Sequence, residues 1–290
     1  MKLYKLKTGI LLENGGVYFN MGNIAWDELV NRQDLYGFLL SQTLDVQAPV
    51  DGKTAKLLID EELLAPLGTQ EIWASGVTYL RSRQARIEES KDKGGGTFYD
   101  RVYEAERPEL FFKATAARAV GSGQQVNIRR DSAWDVPEPE LTLFINSQGS
   151  IQGYTIGNDM SSRSIEGDNP LYLPQAKTYD RCAALGPCLY VPKSPLPPDT
   201  TISLEIKRTN ETVFNDAIEI SRMKRGHEEL AGFLFRECSF PNGCYLMTGT
   251  GIVPPTSFTL QPGDEILISI SGIGTLINTV GKASNSFYQI

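Results

Sequence analysis

The chain has 290 residues, 41% of them hydrophobic and 22% charged, with a net charge of −7. That is the composition of a globular protein with material for one large domain, or one large and one small. It carries no basic stripe or tail, which excludes a nucleic-acid partner, and no stretch approaches the ~20 apolar residues of a membrane helix. The N-terminus, Met1-Lys-Leu-Tyr-Lys-Leu-Lys7, lacks the apolar core of a signal peptide, so a cytoplasmic location is expected. In that compartment Cys182, Cys188, Cys238 and Cys244 are expected to be reduced, buried thiols. Their repeated Cys-x5-Cys spacing matches no common zinc pattern. The single histidine, His227, lies in the charged helix start Arg225-Gly-His-Glu-Glu229 and reads as a surface residue.

Residues 1–66 read as a small α+β unit, with a boundary near Pro66. Leu3 to Leu12 and Val17 to Asn20 suggest a hairpin around Asn14-Gly15-Gly16. Apolar residues between Ile24 and Leu40 recur at helical spacing and predict one amphipathic helix over 24–42. Glu71 to Tyr79 reads as a strand ending in a glycine turn. Two charged helical segments follow, 80–92 and 98–106, joined by Gly94-Gly95-Gly96, an arrangement suited to a lid. From Leu110 onward short strands dominate: Leu110–Lys113, Val126–Arg129, Leu141–Ile145, Ile151–Ile156, Leu189–Val191, Ile202–Arg208 and Glu265–Ile270. Turn residues, not regular helices, separate them, so residues 67–290 are expected to form a mostly β, largely antiparallel domain. No G-x-G-x-x-G opens a helix after a strand, and no G-x-S-x-G is present, which removes dinucleotide and serine-hydrolase readings.

The chemistry concentrates at Glu138-Pro139-Glu140. Carboxylates two apart project from one side of an extended chain. Pro137 and Pro139 hold that segment extended. By itself such a pair is commonly a solvated, proline-stiffened loop. Here it runs directly into the apolar strand Leu141-Thr-Leu-Phe-Ile145, where a carboxylate is costly unless it is paired or bound to a metal. A third acid, Asp159, and then Lys177 follow. Three carboxylates without histidine or cysteine suit a hard cation, Mg²⁺, Mn²⁺ or Ca²⁺, better than Zn²⁺.

Five segments in order resemble the fumarylacetoacetate hydrolase superfamily across roughly residues 70–282. They are Glu138-Pro-Glu140-Leu, Gly153-Tyr-Thr-Ile-Gly-Asn-Asp159-Met-Ser-Ser-Arg163, Lys177 through Leu185-Gly-Pro187, Thr248-Gly-Thr-Gly251, and Gly263-Asp-Glu265 with Gly272-Ile-Gly-Thr-Leu276. The resemblance implies an α+β, mostly β fold, a fumarylacetoacetate hydrolase-like mixed β-sandwich roll with a small N-terminal domain. It also implies that Glu138, Glu140 and Asp159 hold a divalent metal, usually Mg²⁺. Trp73-Ala-Ser-Gly-Val-Thr-Tyr79, Arg107-Pro-Glu-Leu-Phe-Phe-Lys113 and Asn169-Pro-Leu-Tyr-Leu-Pro-Gln-Ala-Lys177 are most similar to members that dehydrate 2-keto-3-deoxy sugar acids. The implied reaction is loss of water from 2-dehydro-3-deoxy-D-arabinonate through a metal-stabilised enolate, giving 2,5-dioxopentanoate, in a homo-oligomer of two or four subunits.

Two departures bear on this. Ser161-Ser162-Arg163-Ser164 lacks the acid most members carry at its last position. Tyr79-Leu-Arg-Ser-Arg83 lacks the histidine of the hydrolytic members. Lys177 and Glu109 are the candidate acid–base pair; a salt bridge to Arg107 or Lys113 is the plain alternative for Glu109. Ser75, Gly76, Thr250 and Lys177 are candidate contacts to the substrate. The competing readings are hydrolysis of a 2,4-diketo acid, decarboxylation of oxaloacetate, and a metal-stabilised binding protein without activity.

Overall fold

The computed structural model describes residues 1–44, 49–82, 84 and 101–282. Two sheets carry the fold. In the larger, β1 (Lys2–Leu6), β2 (Gly9–Asn14) and β3 (Val17–Asn20) form one flank, and β4 (Glu71–Gly76) and β5 (Glu109–Ala114) the other. Between the flanks lie β9 (Pro139–Ile145), β10 (Ile151–Asp159), β12 (Ala183–Tyr190) and β15 (Cys244–Met247). The order is β3-β2-β1-β12-β10-β9-β15-β4-β5, with the short β6 (Ala119–Val120) also on β12. The smaller sheet runs β14 (Glu211–Glu219), β13 (Thr201–Arg208), β16 (Glu265–Ile270), β17 (Gly274–Lys282) and β7 (Gln125–Ile128). A third pairing joins β8 (Asp135–Val136) to β11 (Ser161–Ser162).

The large sheet is covered on both faces. Leu141, Leu143 and Ile145 point to the smaller sheet, packing with Leu204, Ile206 and Ile268. Phe144, one residue out of phase, joins Leu3, Leu12, Leu35 and Leu39 on the opposite face. Every residue of β9 is therefore buried, which is why its residues from Leu141 to Ile145 are apolar on both faces apart from Thr142. The N-terminal hairpin enters the same sheet through β1, whose Lys2 and Leu3 pair with Tyr190 and Leu189 of β12.

Each strand expected from Leu110 onward is present. Three differences are local. The run from Leu3 to Leu12 is itself a hairpin, not one strand, because Lys7 and Thr8 turn to bond the backbone and side chain of Glu62. The single helix expected over 24–42 is two: α1 (Trp26–Val30) and α2 (Leu35–Leu44). Between them Asn31 bonds Ser147 and Pro241, and the Asp34 carboxylate accepts the Gly37 N–H, so a new cap restarts the helix. Tertiary contacts of this kind override a periodic pattern. Finally, β14 is mostly exposed, and its polar face gives a weak strand signal.

The other helices are α3 (Gly52–Glu62), α4 (Arg163–Asp168), α5 (Leu173–Lys177) and α6 (His227–Leu234). Residues 80–82, 84 and 101–104 are helical. Gly94-Gly95-Gly96 and the rest of the expected lid lie outside the described residues. All four cysteines are free thiols, but Cys238 is exposed, contrary to expectation. No helix among the described residues is long and apolar enough to cross a membrane.

Candidate active site

The β9–β10 pairing builds the site. Glu140 stands opposite Gly157, and Pro139 opposite Asn158; the Asp159 N–H then reaches the Glu138 carbonyl at 3.0 Å. Strand parity therefore puts Glu138, Glu140 and Asp159 on one face. Gly157 makes room there: a Cβ would overlap the Thr142 hydroxyl and lie 3.1 Å from the Met247 methyl. One ligand oxygen from each of the three carboxylates falls within 4.8 Å of the others, and all three residues are buried.

Three buried cations surround these acids. Lys177, the last residue of α5, places Nζ 2.6 Å from Glu138 Oε2 and 2.8 Å from Asp159 Oδ2. Lys113 Nζ lies 2.6 Å from Asp159 Oδ1 and donates to the carbonyls of Met160 (2.9 Å) and Lys177 (2.5 Å). Arg163 opens α4 with Ser162 as its cap; its Nη2 is 2.5 Å from Glu138 Oε1. Charges removed from water this completely persist only when paired. Glu140 accepts the Gly249 N–H at 2.6 Å. Burial, followed by the neighbouring Asp159 and Glu138, pushes its carboxyl well above the usual range, with Lys177 and the Gly249 N–H pulling the other way. A carboxylate so placed favours a further positive charge at the site, and an all-oxygen donor set fits a hard divalent cation.

The cavity over these groups is also lined by Ser75, Gly76, Val77, Ser82, Phe111 and Thr250. Val77 is β-branched yet held at φ 53°, a strained conformation that marks a tightly determined turn. Thr78 anchors that turn by donating to the Thr248 carbonyl at 2.7 Å. Ser75, Gly76, Thr250 and Lys177, the expected substrate contacts, thus share one cavity. Glu109 lies beside it and not in its lining. Glu109 and Phe111 share one face of β5, and Lys113 is the extra residue of the register shift that follows. Glu109 stands opposite Gly76, and a Cβ on Gly76 would overlap its carboxylate. The salt bridge suggested between Glu109 and Lys113 is replaced by the Lys113–Asp159 pair, while Arg107 stacks on Phe233.

His227 is elsewhere. It lines a surface groove with Leu196, Ile220 and Lys224 and packs its ring 6.2 Å from that of Tyr154. The exposed position expected for it is corrected to a half-buried one; burial lowers its pKa. Lys113 and Arg163 were not singled out from the sequence as site residues. The signals existed: a lysine inside the apolar strand Leu-Phe-Phe-Lys-Ala, and an arginine four residues after Asp159. Neither indicates a partner until the strands are paired.

This chain belongs to the fumarylacetoacetate hydrolase family: the family described as fumarylacetoacetate (FAA) hydrolase C-terminal matches residues 72–281. Among its relatives is a probable 2-keto-3-deoxyxylonate dehydratase of Haloferax volcanii, 48% identical over 223 residues, which are 77% of this chain and 76% of that protein. The 2-dehydro-3-deoxy-D-arabinonate dehydratase of Saccharolobus solfataricus is 43% identical over 227 residues, again 77% and 76% of the two chains. The solved structure of 2-keto-3-deoxy-D-arabinonate dehydratase complexed with magnesium and 2,5-dioxopentanoate superposes with a TM-score of 0.82 at 32% identity, covering 98% of this chain and 100% of that one.

Proposed function

We propose that the protein is a divalent-metal-dependent hydro-lyase that converts 2-dehydro-3-deoxy-D-arabinonate to 2,5-dioxopentanoate and water. The observation that carries this reading is the Lys177 ammonium, set against two buried carboxylates in a cavity with no imidazole among its lining residues. The named relatives and the magnesium- and product-bound neighbour support the substrate class. Glu138, Glu140 and Asp159 would hold the cation, Mg²⁺ first, with Mn²⁺ or Ca²⁺ as alternatives. When bound, such a cation polarises the 2-oxo group of a keto acid and acidifies its C3 proton.

The chain's own residues supply the rest. Lys113 and Arg163 hold Asp159 and Glu138 in place and offset their charge, so that an anionic keto acid can enter. Ser75, Gly76 and Thr250 contact its carboxylate or hydroxyls. Lys177 and Glu109 divide the proton transfers: one takes the C3 proton and the other protonates the C4 hydroxyl as it leaves. The C3–H and C4–O bonds break, a C3=C4 bond forms, and water departs. A proton then moves from C5 to C3, and the resulting enol passes its hydroxyl proton to C4, leaving the C5 aldehyde.

A homo-oligomer of two or four subunits, a cytoplasmic location, and a division into residues 1–66 and 67–290 belong to the same reading. Leu171 and Tyr172, exposed beside α5, are apolar surface suited to a subunit contact, and sedimentation would measure the assembly. The functional test is turnover of a panel of 2-keto acids by the magnesium-loaded protein. Semialdehyde formation from 2-dehydro-3-deoxy-D-arabinonate is expected, with little cleavage of acylpyruvates and little loss of CO₂ from oxaloacetate. Efficient acylpyruvate cleavage would give the protein to the hydrolases, and absence of turnover would make it a metal-binding protein.

A further inference from the structure

The loop from Met223 to Gly226 touches two elements that border the cavity. On one side its Lys224 N–H bonds the Thr78 carbonyl at 2.9 Å, and Met223 bridges to Tyr79, so it backs the strained turn at Val77. On the other side it holds the chain entering β5. Lys224 Nζ donates to the Tyr103 carbonyl at 2.6 Å and pairs with Glu104 at 3.0 Å. The Arg225 guanidinium donates to the carbonyl of Glu106 at 3.1 Å and to that of Ala105.

Arg225 is itself fixed. Only 9% of it is exposed; its Nη1 lies 2.6 Å from Glu229 Oε1, and the other Glu229 oxygen accepts the Gly226 N–H that caps α6. Arg107, two residues beyond the clamped carbonyl of Ala105, stacks on Phe233 of the same helix. Arg107-Pro108 leads straight into Glu109. The chain from Ala105 to Arg107 is thus pinned to α6 immediately before the carboxylate that lies over Gly76. A guanidinium fork engaging two successive carbonyls fixes both their positions and their direction, which a single-point donor does not.

We propose that Arg225 is a positioning residue for the dehydration: by clamping the Ala105 and Glu106 carbonyls onto α6, it sets where Glu109 stands beside the cavity. This rests on the reading of Glu109 as one member of the acid–base pair. The test is a double-mutant cycle on the magnesium-loaded enzyme with Arg225→Met and Glu109→Gln, with Arg225→Lys as the conservative variant. Arg225→Met should lower kcat by roughly 10- to 10²-fold, the cost of misplacing a reacting group by about 1 Å, with KM and the affinity for Mg²⁺ unchanged. Arg225→Lys, which keeps the charge and one donor at a time, should recover part of the loss. In the Glu109→Gln background the same Arg225→Met change should cost less than about twofold, because residues acting through one another do not add.

Arg225→Met with undiminished kcat, beside an impaired Glu109→Gln, would overturn the proposal and leave the Glu109 assignment standing. Equal losses in both backgrounds would also overturn it, since Arg225 would then act independently of Glu109. Full activity of Glu109→Gln alone would remove the Glu109 assignment, and this proposal with it.

Discussion

The floor and the rim of the cavity are held in different ways. The floor, Glu138, Glu140 and Asp159, is fixed by the ladder between β9 and β10, in the middle of a sheet covered on both faces. The rim from Val77 to Ser82, with Thr250, is fixed by turns and by single hydrogen bonds from distant segments, such as Thr78 to Thr248 and Lys224 to Thr78 at 2.9 Å, while Ser75, Gly76 and Glu109 join it to the β4–β5 ladder. A ladder has few alternatives once its register is chosen; a rim built of separate contacts can shift piece by piece. The floor therefore suits a cation whose ligands must not move, and the rim suits adjustment to a substrate.

The largest effects should come from the floor. Chelation of the divalent metal should abolish turnover, and added Mg²⁺ or Mn²⁺ should restore it. Glu140→Gln, which keeps shape and removes a charged ligand, should weaken Mg²⁺ binding with the fold intact, read by calorimetry beside circular dichroism. Undiminished activity in a demonstrably metal-free sample would end the metal mechanism.

Lys177→Met touches the floor's cations and the chemistry together. A loss of at least ~10²-fold in kcat is expected, the lower end for a general acid–base group. If the variant instead keeps its kcat and only its KM rises, Lys177 binds substrate without moving protons.

Gly157→Ala asks how rigid the floor is. The added methyl meets Thr142 and Met247, and overpacking of this kind costs about 1–3 kcal/mol. The shift should appear in the denaturation midpoint. A neutral result would mean that the ladder yields as easily as the rim.

The smallest effect concerns a residue in neither region. His227→Ala should retain nearly all activity. Burial lowers the His227 pKa in the folded state, so the unfolded chain takes up the proton more readily. Its contribution to stability is then present above the unfolded value of about 6.5 and is lost as pH falls below it. Melting temperatures measured between pH 7 and pH 5 should fall less steeply in His227→Asn than in the natural protein. Acylpyruvate cleavage that disappears with His227→Ala would overturn the placement of the chemistry.

The sequence made the floor readable because period-two geometry is local: Glu138 and Glu140 must share a face, and the prolines keep them extended. It made β13 readable for the same reason, its burial alternating along the strand, whereas β9 and β10 were readable as short runs bounded by turn residues. What it did not show depended on contacts across the chain. Lys113 faces Asp159 only because β5 ends near α5, 64 residues away in sequence, where Lys113 also bonds the Lys177 carbonyl. His227 looked solvated because its sequence neighbours are charged, yet the ring turns onto Tyr154. The helix predicted over 24–42 divided at Asn31, whose N–H closes the last turn on Asp27 while its side-chain amide is tied to Ser147 and Pro241. β15, four buried residues from Cys244 to Met247, is too short and too uniformly apolar to declare a period.

The pairing of Glu140 with Gly157 also governs how a preparation of this protein should be interpreted. A one-residue slip would turn Glu140, and Glu138 just before the strand, into the oily layer between the sheets and bring Leu141 and Leu143 out over the cavity. Such a mispaired chain would carry naked anions into hydrocarbon and would be rejected during folding. Correct assembly of the central strands and creation of the cation-binding face are thus a single event. A sample with native circular dichroism and only half its specific activity should be examined first for incomplete metal loading, because a folded molecule with its acids facing the wrong way is not a stable species.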